Sequence, residues 1–334
     1  MTADTPRVLT VGDDASGAPA LPSGPFDPTT DRTLEKSVRR WVAERTGLGL
    51  GYVEQLYTFG DRYRTPEELA GGPRALSIAY VALVREARPA TGAAWRDLYA
   101  FCPWEDRRAG APAVIDAAVA PALSAWTAAG ADGRGTARQR RERADIAFGL
   151  GGAAWDADRA LERCELLYEV GAIDEAVRDR ALRAAETERG AAASVDAVGH
   201  AVGPGAADSG YAGPTSDEAA AAVLPGAMAL DHRRILATAL GRLRGKIKYR
   251  PVVFELLPPG FTLRQLQRVV EALTGMPVHT GNFRRLVAAT GLVERTGDRD
   301  EVTGGRPAEM YRFRRDVLRE RRAPGVGAGG GGRA

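Results

Sequence analysis

The chain has 334 residues, 44% hydrophobic and 27% charged, which is enough for two domains with separate cores. It has no apolar run near the roughly 18 residues of a membrane helix, and its first thirty residues lack the basic start and apolar centre of a secretory signal. Two cysteines, Cys102 and Cys164, give neither a disulfide framework nor a zinc spacing, so a reducing cytoplasm is the expected setting. The net charge of +3 hides a polarity. Asp231–Arg322 carries 20 Lys/Arg against 10 Asp/Glu, whereas Met1–Leu230 carries 25 against 33. Such a split points to a polyanion partner at the C-terminal end.

Taken in order, residues 7–11 read as a strand, followed by a loop rich in Asp, Gly and Pro. Residues 33–46 place Leu34, Val38 and Val42 on one helical face, and Gly47 ends the helix as a left-handed cap would. Strand-like runs follow at 51–59 and 75–84. From Ala111 the composition turns to helix formers over 112–130, 137–149 and 155–187, with a break expected at Gly171. Residues 189–216 hold too few large apolar groups to bury and read as a flexible linker; the Gly-rich end from Pro324 reads as disordered. The glycines of Gly47–Gly51 follow a helix and precede a strand, the reverse of a dinucleotide loop. His200, His232 and His279 have no partner at metal or triad spacing, and His232 is expected on the surface.

The stretch 231–322 reads as three amphipathic helices and a hairpin. Residues 231–247 put Ile235, Leu236, Ala239, Leu243 and Ile247 inward. Their far end, with Arg242, Arg244, Lys246, Lys248 and Arg250, would lie near a phosphate backbone. Residues 262–274, capped by Thr262, turn Leu263, Leu266, Val270 and Leu273 inward, leaving Arg264 and Arg268 as further cationic candidates. Residues 280–290 bury Phe283, Leu286 and Val287 and leave Asn282, Arg284 and Arg285 outward, in the first turns of a helix whose N-terminal amides and Thr280 hydroxyl suit a phosphate. Two short strands around Gly304–Pro307 close a winged helix-turn-helix, with Arg306 at the tip placed for a minor groove or a phosphate.

Residues 21–28, the helix 33–46 and Gly47-Leu48 resemble a Nudix box, a loop–helix–loop whose glutamates hold a divalent metal against a pyrophosphate. Arg40 and Gly47 fix the register. Phe26 then stands at the opening Gly, Arg32 at the first Glu, Trp41 at the Glu after the Arg, and Arg45 at the last Glu; Glu44 alone survives of the final pair. The resemblance implies a Nudix fold without Nudix chemistry, with no catalytic residues, metal or catalytic cofactor. Arg39, Arg40 and Arg45, beside Glu44, suit direct phosphate contact, and Tyr57 and Phe59 are placed to stack a base. The alternative is a residual Nudix hydrolase of ADP-ribose with an appended nucleic-acid domain.

Residues 248–257, Phe261-Thr-Leu263, Asn282-Phe-Arg-Arg285, Gly291-Leu-Val-Glu294, Gly305-Arg-Pro-Ala308 and Tyr311-Arg-Phe313 resemble the C-terminal domain of Nudix-related transcription regulators of NAD metabolism, of which the NrtR group is best known. Residues 20–28, 51–61 and 162–168 are more similar to the NadQ group; the long Ala/Gly linker and Cys164 depart from its pattern. The resemblance implies a homodimeric repressor of NAD biosynthesis genes on double-stranded operator DNA. The implied effector is an adenine nucleotide, ATP by the NadQ pattern and ADP-ribose or NAD by that of NrtR. The expected fold is α+β: a degenerate Nudix-like α/β/α sandwich over 1–136, a helical extension for dimerisation over 137–188, a flexible linker over 189–220, a winged helix-turn-helix over 221–322 and a tail over 323–334. A flexible tether transmits no torque, so any coupling must run through contacts outside 189–216.

Overall fold

A computed structural model describes residues 5–12, 17–61, 64, 68, 71–85, 87–90, 92–129, 136–196, 224–300 and 307–317. Strand β1 (Arg7–Gly12) pairs antiparallel with β2 (Pro19–Ala20) and β5 (Ala93–Asp97), giving the order β2-β1-β5 with Leu9 opposite Trp95. Strands β3 (Tyr52–Phe59) and β4 (Ser77–Leu83) form an antiparallel pair with an irregularity between Gln55 and Tyr57. Helix α1 (Leu34–Thr46) lies between β2 and β3 in sequence. The Thr33 hydroxyl accepts from the Lys36 amide at 3.2 Å, and Gly47 closes the helix at φ 69°. Both ends were expected from sequence; β2 and β5 were not.

Beyond β5 the chain is helical. A π-helical turn over Ile115–Val119 leads into α2 (Ala120–Ala128). Next come α3 (Ala137–Phe148), capped by a reciprocal Thr136–Gln139 box, and α4 (Ala160–Val170). Gly171, at φ 81°, makes the expected break before α5 (Asp174–Asp196), so α5 runs on into the stretch read as a linker from residue 189. The rest of that linker, 197–220, and the tail 323–334 lie outside the described residues. Among the described residues, no helix is long and apolar enough to cross a membrane.

The C-terminal unit comprises α6 (His232–Ile247), β6 (Phe261–Thr262), α7 (Leu263–Thr274), α8 (Thr280–Thr290), β7 (Val293–Asp300) and β8 (Ala308–Phe313), with sheet order β6-β8-β7. Helices α7 and α8 with their intervening turn form the helix-turn-helix; β7 and β8 are the wing. Thr262 caps α7 in a reciprocal box with Gln265, satisfying an amide donor at each end of the pair.

Packing does not divide at residues 136 and 221. One core gathers Trp104, Trp126, Phe148, Leu166 and Leu167 with Leu224, Met228, Leu236 and Leu240, so 224–240 sits on the helical body. The other joins Leu243, Ile247, Phe254, Leu266 and Phe283 to Leu56, Val81 and Leu83 of the β3–β4 pair. Helix α6 is therefore shared: its first half is packed in one core and its second half in the other.

At the junction, Glu105 is buried between two buried guanidinium groups. Arg163 of α4 donates to it through Nε at 2.6 Å and Nη2 at 2.9 Å, and Arg244 of α6 donates through Nη1. The remaining guanidinium donors reach carbonyls of Ala147, Asp156, Ala157 and Leu273. Burial alone would raise the Glu105 pKa, but Arg244 and Arg163 together hold it below the ordinary value of 4.5. The stabilisation is thus complete above that value and is lost as pH falls through the lower folded-state pKa. Removing the charge leaves two arginines uncompensated, so Glu105→Gln should cost about 3–5 kcal/mol in urea unfolding at pH 7. Relative to the variant, the wild type should also lose stability below pH 4.5. The comparison cancels Glu175, whose carboxyl burial pushes up.

Candidate nucleic-acid interface

Helix α8 presents the C-terminal site. Phe283 and Val287 anchor it in the core, leaving Thr280, Asn282, Arg284 and Arg285 exposed as expected. His279, not Thr280, is its N-cap: Nδ1 accepts from the Asn282 amide at 3.4 Å, while the Thr280 hydroxyl accepts from Gln267 Nε2 at 3.3 Å. Arg285 donates to the Asn282 amide oxygen, which joins the two side chains on one outward face. The predicted inward set of α8 holds except that Leu286 is only half-buried. On α7, Arg264 is exposed and Arg268 half-buried. Arg306 lies outside the described residues.

The cationic run at the end of α6 does not form one outward stripe. Arg244 is buried on Glu105. Lys246 is bonded to Glu54 of β3 and donates to the Tyr52 hydroxyl at 3.0 Å. Lys248 pairs with Asp158 at 2.5 Å. Spacing alone placed these residues beside phosphate. Arg244 and Lys246 face carboxylates of the N-terminal half along α6, whereas Lys248 holds Asp158 at an exposed position; Arg242 and Arg250 are exposed too. His232 is buried too, with Nδ1 accepting from the Leu21 amide at 3.0 Å, so the expectation of a surface position fails.

On the N-terminal domain the predicted arginines diverge. Arg39 turns to Glu35 at 2.8 Å and to the carbonyls of Leu50 and Gly51. Arg40 bonds Asp31 at 2.9 Å and lies 3.6 Å from Glu44. Arg40 and Arg45 flank the Trp41 ring at 5.3 and 5.5 Å. Trp41 itself donates to the Pro25 carbonyl at 2.8 Å, and its ring lies so close over Gly24 that no Cβ would fit there. The residue at a motif Glu position therefore fastens the loop to α1. Asp27 in that loop has a pKa lowered to about 2, chiefly by the Thr29 and Thr30 hydroxyls.

Tyr57 and Phe59 share a strand face with ring centroids 5.4 Å apart, yet only Tyr57, 59% exposed, is open. Phe59 is 2% exposed, because the guanidinium groups of Arg64 and Arg234 lie over its ring at 5.7 and 5.6 Å. It is a core residue, not a stacking surface.

A shallow cleft lined by Thr30, Asp31, Arg32, Lys36 and Arg40 was missed as a unit in the sequence, because its cations come from both the loop and the helix. Its one carboxylate is already matched by Arg40. The residues at the motif's metal positions do not fit a divalent cation: Glu44 pairs with Arg40 and the neighbouring position is Arg45. Among the described residues, no group of three or more His, Cys, Asp or Glu is placed to hold a metal.

Comparison with known proteins bears on both halves. Residues 253–313 match the family model of the NrtR DNA-binding winged helix domain. Over 86 residues the chain is 40% identical to the ADPR responsive transcriptional repressor NtrR of Acinetobacter baylyi, covering 26% of this chain and 34% of that protein. The chain thus spans about a third of the length of this curated relative. Shewanella oneidensis NrtR complexed with a 27mer DNA is similar in structure at 20% identity, with a TM-score of 0.50 over 96% of this chain and 91% of that one. The NUDIX domain of the same protein with ADP ribose matches 28% of this chain and 64% of that one at 28% identity, with a TM-score of 0.25. The chain therefore carries an NrtR-type DNA-binding winged helix domain over residues 253–313, within an overall fold similar to that of Shewanella oneidensis NrtR.

Proposed function

We propose that the protein is a transcriptional repressor of NAD biosynthesis genes. It binds double-stranded operator DNA as a homodimer and is controlled by an adenine nucleotide held in a non-catalytic Nudix-like domain. The observation that carries the reading is the outward set Asn282, Arg284 and Arg285 on the second helix of a helix-turn-helix, in a domain that matches the NrtR reader. Arg suits the guanine edge and Asn the adenine edge in a major groove, and either also reaches phosphate. The relative from Acinetobacter baylyi is named as ADPR responsive, and the DNA complex of Shewanella oneidensis NrtR supports the same partner class.

The effector reading rests on charge. Arg32 and Lys36 line a cleft whose only carboxylate is already paired, which favours an anion over a metal. ATP and ADP-ribose both carry an adenosine diphosphate, and the resemblance to the NadQ group favours ATP whereas the named relative favours ADP-ribose. Exposed Tyr57 is the remaining candidate for stacking the base.

Two outcomes are expected. Arg284→Ala and Arg285→Ala should each weaken operator binding by about 1–3 kcal/mol in gel-shift titrations and leave nucleotide binding by calorimetry unchanged; equal loss of both activities would contradict the assignment. In the same gel shift, with ATP, ADP-ribose and NAD added in turn, at least one nucleotide should release the DNA. The Arg32→Ala/Lys36→Ala double variant should need more of that nucleotide, and an unchanged requirement would remove the cleft from the account.

A further inference from the structure

The turn of the helix-turn-helix is not free-standing. The last carbonyls of α7, which have no partner within a helix, are taken by the segment that follows β5. The Tyr99 hydroxyl donates to the Ala272 carbonyl at 2.8 Å, and the Arg107 amide donates to the Gly275 carbonyl at 2.7 Å. Between them, Arg244 Nε reaches the Leu273 carbonyl at 3.2 Å from its place on Glu105. Gly275, at φ 69°, faces the Glu105 carbonyl, the Arg244 guanidinium and the Tyr99 hydroxyl so closely that a side chain would have no room. Tyr99 is buried, which raises its hydroxyl pKa to about 12 and keeps it a donor.

This segment begins where the N-terminal sheet ends. Asp97 is the last residue of β5 and opposes Arg7 of β1; its carboxylate accepts from the Tyr99 amide at 2.9 Å. One run of ten residues thus leads from a sheet edge to the turn that aims α8. We infer that residues 98–107 transmit the state of the N-terminal domain to the DNA-reading helix, and that Tyr99 is the positioning residue at the point of transfer. A shift of β5 along β1 would move the Tyr99 hydroxyl and the Arg107 amide together, tilting the end of α7 and the turn before α8. The route bypasses residues 197–223 altogether. Two-state elements biased from both ends couple two sites reciprocally.

The inference rests on the proposed control by a nucleotide, and the experiment separates the two. Operator affinity of the full chain is measured by fluorescence anisotropy with and without ATP, ADP-ribose and NAD, for the wild type, Tyr99→Phe and Tyr168→Phe. Tyr168 is also a buried tyrosine with a bonded hydroxyl, to Asp179 at 2.9 Å, but that bond joins α4 to α5 within the helical body. Thermal unfolding of each variant confirms that it is folded. The wild type should show a ratio between the two affinities of roughly 5–150-fold, Tyr168→Phe should keep it, and Tyr99→Phe should bring it to within about twofold of one. A responsive wild type whose Tyr99→Phe variant keeps the full ratio overturns this inference alone, as does an equal loss in both variants. A wild type indifferent to all three nucleotides overturns the nucleotide control and this inference with it.

Discussion

The structure depends on one buried carboxylate. Glu105 lies between Arg163 and Arg244, and its three segments come from the end of the N-terminal sheet, from the helical body and from the first helix of the reader. A charge cluster of this kind adds little net stability compared with apolar packing, but removing one member is expensive. Its effect is geometric. The fork of each guanidinium fixes the direction of a helix, and the donors left over bind the carbonyls of Ala147, Ala157 and Leu273. An apolar contact in the same place would allow sliding; this one fixes the register of three elements at once.

A second set of ion pairs works on the opposite side of α6. Arg64 forks onto Asp231 at 2.7–2.8 Å, Arg234 binds Asp61 and Glu165, and Lys246 binds Glu54. They run from the N-cap of α6 to its last turn, and Glu54 belongs to β3, whose Leu56 is already in the reader's core. The same strand also carries the exposed Tyr57. A ligand on Tyr57 would load a strand that packs on the DNA-binding unit, so the hairpin and the 98–107 segment are two contacts between the N-terminal half and the reader.

The sequence was legible where local physics decides. Helical spacing and the Thr33, Thr262, Gly47 and Gly171 boundaries were readable, because caps and left-handed turns depend on neighbours in the chain. The outward set of α8 was readable for the same reason, since Phe283 and Val287 set its phase. What failed was partner choice. Lys246, Lys248 and Arg244 look alike beside Arg242 and Arg250, yet their partners Glu54, Asp158 and Glu105 lie far away in sequence. Phe59 failed likewise, covered by Arg64 and Arg234 from across the fold. Strand β5 was hidden by its brevity and by Arg96 and Asp97, which belong to an exposed edge. Leu224 and Met228 join a core built mostly before residue 177, a pairing that no local pattern shows.

The reader and the N-terminal half are joined through the Glu105 junction rather than only tethered by the chain. Native-state hydrogen exchange on the full-length protein tests it most directly. The amides of Glu105 and Arg107, on one side, and Gly275, on the other, each donate to a backbone carbonyl. The account predicts that they open together, with one free energy and one denaturant dependence, because releasing one side releases the other. If Gly275 and the rest of α7 opened at distinctly lower free energy while Glu105, whose amide is bonded to Cys102 within its own segment, stayed protected, the two halves would be independent units and the account would fail.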